Sequence, residues 1–168
     1  TMANGYAGKI LRVDLTQSKI TVEHPSEEFY RTYMGGSALN LYYLLKEMVP
    51  KVDPYSPDNI LAFSVSPLTG VRVSGASRLT ITAKSPLTDA IGDSQSGGFF
   101  PAKLKFAGYD AVIVKGKATS PVYLSIDNGK AELRDASHLW GKTTQAVQSA
   151  IQDEFDGDKD LEVLQIGP

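Results

Sequence analysis

The sequence predicts an α+β fold, an internally duplicated unit of hairpin, helix and strands with mainly antiparallel sheets. Three observations carry this reading. Runs of alternating apolar and polar residues recur with the period of two that marks a half-buried strand. Two pairs of such runs are joined by the turn segments Thr16-Gln17-Ser18 and Asn128-Gly129, the second a strong hairpin signal. The order hairpin, helix, apolar strand, small residue, proline also occurs twice, closing on Ser66-Pro67 and on Gly167-Pro168. Residues 1–88 and 89–168 are therefore read as two copies of one unit, against the plainer alternative of chance similarity among short elements.

Lys9–Leu15 and Lys19–Glu23 form the first hairpin. Ser26 caps a helix running to about Met34, with Glu27 and Glu28 favourably placed at its positive end. Gly35-Gly36 interrupts it. Ser37 is expected to cap a second helix to about Met48, with Leu41, Leu44, Leu45 and Met48 as its apolar stripe. A proline-punctuated loop, Pro50 to Pro57, leads to strand Ile60–Val65, which ends at Ser66-Pro67-Leu68-Thr69-Gly70. Arg78–Ala83 alternates again and closes on the turn Lys84–Thr88.

Asp93-Ser94-Gln95-Ser96-Gly97-Gly98 reads as a glycine-rich loop ahead of a helix, Phe99–Ala107, that Gly108 ends. Ala111–Val114, Val122–Ile126 and Ala131–Arg134 read as strands. Thr143 caps a helix with Val147, Ala150, Ile151 and Phe155 on one face, and Gly157 terminates it. Leu161–Ile166 is expected as the last strand, and Trp140 is expected to pack against the start of the preceding helix.

Composition narrows the function. Charge is nearly balanced, a formal −2, so there is no electrostatic case for nucleic acid or an anionic membrane. No apolar run approaches the ~18 residues of a membrane span. The N-terminal stretch lacks the basic, apolar and small-residue order of an export signal, so the expectation is a cytoplasmic protein. Cysteine is absent, which excludes disulfides, iron–sulfur ligation and thiol nucleophiles within these residues. His24 and His138 stand far apart, and no metal-ligand set or catalytic residue is expected here. Met2 reads as the natural start with Thr1 ahead of it, and the apolar ending at Leu161–Pro168 reads as a piece of a longer protein.

Two features could meet a ligand. Adjacent glycines Gly97-Gly98 ahead of a helix let backbone N–H groups approach an anion, or they form a plain tight turn. The spacing is neither that of a P-loop nor that of a dinucleotide fingerprint. Arg78, opening a strand, either points to solvent or presents its bidentate fork to an anionic group. Asp53, Asp58, Asp89 and Asp93 read as turn residues, and Phe29, Tyr30 and Tyr33 as packing.

Several blocks, in order, resemble the aldehyde:ferredoxin oxidoreductase family. They are Gly8–Leu15, Pro67-Leu68-Thr69-Gly70, Arg78, Lys84-Ser85-Pro86-Leu87-Thr88, Ser96-Gly97-Gly98-Phe99-Phe100, Leu104–Ala111 and Asp135–Gly141. The resemblance implies a single N-terminal domain, residues 1–168, cradling a tungsten or molybdenum bis-pterin cofactor. A [4Fe–4S] cluster would be held by cysteines of later domains. The implied reaction oxidises an aldehyde to a carboxylic acid, with ferredoxin taking the electrons, although family relatives include enzymes that reduce aromatic thioesters. Further implied partners are the remaining domains of the same chain and a second copy of it.

By position, Arg78 matches an arginine between pterin and cluster, and Gly97 a glycine whose backbone meets the pterin. Ser96 adds a hydroxyl contact beside it. Gln95 stands where the family often has asparagine near a pterin phosphate and its bridging magnesium; it is one methylene longer. These residues alone are expected to hold no metal. Two other readings are a non-catalytic module that keeps the fold, and a phosphate-binding domain acting alone.

Overall fold

A computed structural model describes residues 5–168, so the expected start at Thr1 and Met2 lies outside the described residues. The first hairpin is β1 (Ile10–Asp14) with β2 (Lys19–Glu23), followed by α1 (Glu27–Tyr33) and α2 (Gly36–Glu47). Strands β3 (Ile60–Val65), β4 (Leu79–Lys84) and β5 (Ile91–Ser96) precede α3 (Phe100–Phe106) and β6 (Ala111–Lys115). A second hairpin, β7 (Val122–Asp127) with β8 (Lys130–Asp135), leads to α4 (Thr144–Glu154).

Six strands form one sheet in the order β2-β1-β6-β3-β4-β5, and β7-β8 form another. Only β1 and β6 run parallel; the remaining pairs in both sheets are antiparallel. The α+β, mainly antiparallel reading therefore holds. Strand β6, from the second half of the chain, lies between β1 and β3 of the first.

Alternation along the central strands splits the core in two, as period-two geometry requires. On one face Ile10, Ile60, Ala62, Ala111 and Ile113 meet Tyr30 of α1 and Leu39, Tyr43 and Leu44 of α2. On the other, Leu11, Val13, Val65, Leu79 and Val112 meet Leu104 of α3 and the inner side of β7-β8. The outer side of that hairpin carries Tyr123 against Val147, Ala150 and Ile151 of α4, so α4 forms the outermost layer. The aromatic strip is packing: Tyr33 stacks on Tyr42 at 4.6 Å, tying α1 to α2.

Local signals worked where a side chain makes the cap or turn. Ser26 Oγ accepts from Phe29 N, and Thr143 Oγ1 from Ala146 N. Asn128 and Gly129 both take positive φ, the requirement of the tight hairpin turn.

Five expectations are corrected. Asp93–Ser96 is strand and not loop: Ile91–Ser96 pairs with β4 along its whole length, and only Gly97-Gly98 of that run remain outside an element. An exposed edge strand needs no apolar pattern, so the sequence showed none. Ser37 does not cap α2; the N-cap is Gly35, and Ser37 Oγ donates instead to Asp93. The α2 stripe is rotated, with Leu39, Asn40, Tyr43 and Leu44 buried and Leu45 77% exposed. The buried Asn40 Nδ2 faces Ala62 O, Thr80 O and Thr82 Oγ1, and this fixes the rotation.

Leu161–Ile166 is likewise not a strand. Its alternating Leu161 and Val163 pack on the α4 layer, and Gln165 donates to Thr144 O. Trp140 is 77% exposed and does not pack the start of α4.

Candidate functional site: an arginine–glycine cleft

The turn after β3 is closed by Thr69, whose Oγ1 accepts from Ser66 N at 3.1 Å. The chain then passes Gly70, at φ 93°, where a Cβ would stand 2.9 Å from the Phe106 ring. Glycine here lets the 70–77 loop lie against α3. Loop, strand ends and helix enclose an open cleft of about 550 Å³, lined by Gly70, Arg72, Gly75, Arg78, Gly97 and Gly98 with Ala102 and Phe106. Ser77 Oγ donates to Gly98 O at 2.6 Å and holds the two walls together.

Arg78 and Gly97 are in contact: a Cβ on Gly97 would come within 2.8 Å of Arg78 Nη1. Arg72 and Arg78 make no ion pair among the described residues. The cleft thus offers two cationic side chains and glycine backbone, a combination that favours anions.

The other two sequence-derived candidates are placed differently. Gln95 pairs with Thr80 and Ser96 with Leu79, so they project from opposite faces of β5. Gln95 shares the α2 face with Asp93, and Ser96 the α3 face; neither lines the cleft. Sequence reading missed the loop residues Arg72 and Ser77, and it also missed Asp93, whose carboxylate accepts from Ser37 Oγ and Thr82 Oγ1, each at 2.6 Å.

No group of three His, Asp or Glu residues among those described is placed to hold a metal. His24 is exposed, and His138 sits outside the cleft with Nε2 2.6 Å from Glu154 Oε1. Shifted titrations also lie elsewhere. Burial, with the charge of Asp110 next, pushes the Tyr30 phenol far above its ordinary range. Burial, with Glu23 next, does the same to Tyr43.

Fold and cleft together define an α+β domain that presents two arginines and glycine backbone at an open cleft. The chain belongs to the aldehyde ferredoxin oxidoreductase N-terminal domain family, whose description it matches over residues 10–168. It is 49% identical over 164 residues to a tungsten-containing aldehyde ferredoxin oxidoreductase of Pyrococcus abyssi, covering 98% of this chain and 27% of that protein. An aliphatic sulfonate oxidoreductase, WOR-like subunit, of Pyrococcus furiosus is 40% identical over 139 residues, covering 81% and 22%. Among solved structures, the active-site complex BamBC of benzoyl coenzyme A reductase, with 1,5-dienoyl-CoA, superposes with a TM-score of 0.90 at 37% identity. That match covers 94% of this chain and 24% of the other. The chain thus spans about a quarter of the length of these relatives. No described helix is long and apolar enough to cross a membrane.

Proposed function

We propose that this chain is the N-terminal domain on which the tungsten–pterin cofactor of an aldehyde-oxidising enzyme rests, its halves 1–88 and 89–168 being copies of one unit. The observation that carries the reading is the Arg78 guanidinium held against the Gly97 backbone in a glycine-lined cleft. Four tungsten-containing aldehyde ferredoxin oxidoreductases, 43% to 49% identical, support it.

The residues fit such a group. A flat, anionic cofactor needs backbone without side chains, and Gly97 and Gly98 supply it. It also needs positive charge, and Arg78 supplies that. In this reading Gln95 and Ser96 contribute polar contacts from the end of β5, Gln95 toward a phosphate and its magnesium. When bound, such a cofactor would supply the two-electron redox chemistry for oxidising an aldehyde and water to a carboxylic acid and two protons, with a [4Fe–4S] cluster outside these residues and ferredoxin as the electron route. This chain's own residues bind and orient; none of them moves the substrate's proton.

The test is elemental analysis and turnover of the intact protein purified without air. About one tungsten and about four irons per chain, with aldehyde-dependent reduction of ferredoxin, is the expected result. A folded protein lacking both metals would turn the reading to a non-catalytic module.

A further inference from the structure

Strand β5 has a problem of register. After Ile91 it is an edge strand of small and polar residues, Gly92-Asp93-Ser94-Gln95-Ser96, bonded on one side only, to β4. Such strands are weakly specified, because no apolar face penalises a slip. A slip by two residues would preserve the ladder while carrying Gln95 past Thr80 and Gly97 past Arg78. Yet the Arg78–Gly97 contact depends on that alignment.

One side chain of β5 answers the problem. Asp93 projects to the α2 face, where Oδ2 accepts from Ser37 Oγ and Oδ1 from Thr82 Oγ1, each at 2.6 Å. Thr82 is fully buried and is itself met by the buried Asn40 Nδ2 at 3.0 Å. Ser37 stands in the first turn of α2, whose N-cap Gly35 offers no side chain. The carboxylate therefore also supplies negative charge at that helix's positive end. Two fixed donors on two different elements can be met by Asp93 in one register only.

We propose that Asp93 is a positioning residue: by bridging Ser37 of α2 and Thr82 of β4 it sets the register of β5, and so the placement of Gln95 and Gly97 for the cofactor. The inference rests on the cofactor reading above.

The test uses the intact enzyme and reads tungsten per chain, melting temperature and amide exchange along β5. Asp93→Ala is expected to hold about tenfold less tungsten, with faster exchange at Ser94–Gly98 and a nearly unchanged melting temperature. Asp93→Asn, which can still bridge both hydroxyls, should restore both readouts. Ser37→Ala removes one contact without touching β5 and should fall between them. Wild-type tungsten content and exchange in Asp93→Ala would overturn the proposal. So would parallel loss of melting temperature and tungsten in both Asp93 variants, since Asp93 would then serve the fold alone. Tungsten-free wild-type protein would count against the cofactor reading alone. In that case faster exchange in Asp93→Ala would still support the register role, and unchanged exchange would end it.

Discussion

Arg78 and Gly97 meet closely: Nη1 lies 2.8 Å from where a Cβ on residue 97 would stand. Gly97 is not at positive φ, so a Cβ there would disturb the neighbouring guanidinium and not the backbone. Gly97→Ala should displace the flexible end of Arg78 at a cost below ~1 kcal/mol in stability. In the intact enzyme, misplacing a positioning group should lower kcat/KM about 10- to 100-fold. A melting curve and steady-state kinetics on the same preparation separate the two effects. Full activity would mean that Arg78 need not stay where it is.

Arg78 itself is exposed and unpaired among the described residues, so Arg78→Ala should change stability by less than about 0.5 kcal/mol. Its role, if it offsets cofactor charge, is electrostatic. The midpoint potential of the metal or cluster should therefore move while the melting temperature does not. Arg78→Lys keeps the charge but loses the planar fork, and should restore the potential more than the activity. A melting shift with an unmoved potential would make Arg78 structural.

The two hairpins and the caps at Ser26 and Thr143 were legible because each rests on local chemistry: Ser26, Thr143 and Asn128-Gly129 act within a few residues. What was not legible depends on contacts remote in sequence. The rotation of α2 is set by Asn40 reaching β3 and β4, 22 and 40 residues away. Strand β5 looked like a loop because an exposed edge carries no apolar period, and the side chain that ties it to α2 is Asp93. Arg78 and Gly97 were singled out separately, as a strand-opening arginine and a glycine pair and again by family resemblance, and the structure brings them close together. Arg72 and Ser77 matched no motif, and only the path of the 70–77 loop brings them to the cleft.

The N-terminal segment is clasped by a buried charge pair. Asp110, 1% exposed, accepts from Ala7 N at 3.0 Å, Gly8 N at 2.7 Å and Lys105 Nζ at 2.5 Å. Asp110→Ala strands both amides and the largely buried ammonium, and should cost about 3–5 kcal/mol. Lys105→Met should cost less, because the two amides keep their acceptor. Urea unfolding of both variants checks the order; equal losses would mean that the ion pair, not the amides, dominates.

Acid should loosen the α4 layer first. Glu154 accepts from Tyr123 OH at 2.6 Å and meets His138 Nε2 at 2.6 Å. The Tyr123 hydrogen bond holds its carboxyl below the ordinary value; burial opposes this and His138 adds to it. A depressed folded pKa gives stability that is present above the unfolded value of about 4.3 and is lost as pH falls through the folded one. Trp140, the single tryptophan, lies two residues from His138, so its fluorescence reports on this corner. The signal should change below about pH 4.3 before the whole protein unfolds, and Glu154→Gln should flatten that limb. Coincident transitions would show no separate loosening.

Gly35 and Gly70 are both at positive φ, 146° and 93°, but alanine should cost much more at the first than at the second. At Gly70 the added methyl meets the Phe106 ring, a 69% exposed side chain that can swing aside. The cost there should stay near 1 kcal/mol, mostly backbone strain. At Gly35 the methyl would stand 2.4 Å from Val65 O, a backbone atom of a central strand that cannot move without the sheet. Gly35→Ala should therefore cost about 3 kcal/mol or more. The damage should also spread, because the neighbouring Gly36 brings α2 against Thr80, directly opposite Gln95. Amide exchange should speed up in β5 for Gly35→Ala and stay unchanged there for Gly70→Ala. The reverse pattern would mean that α2 does not hold the edge strand.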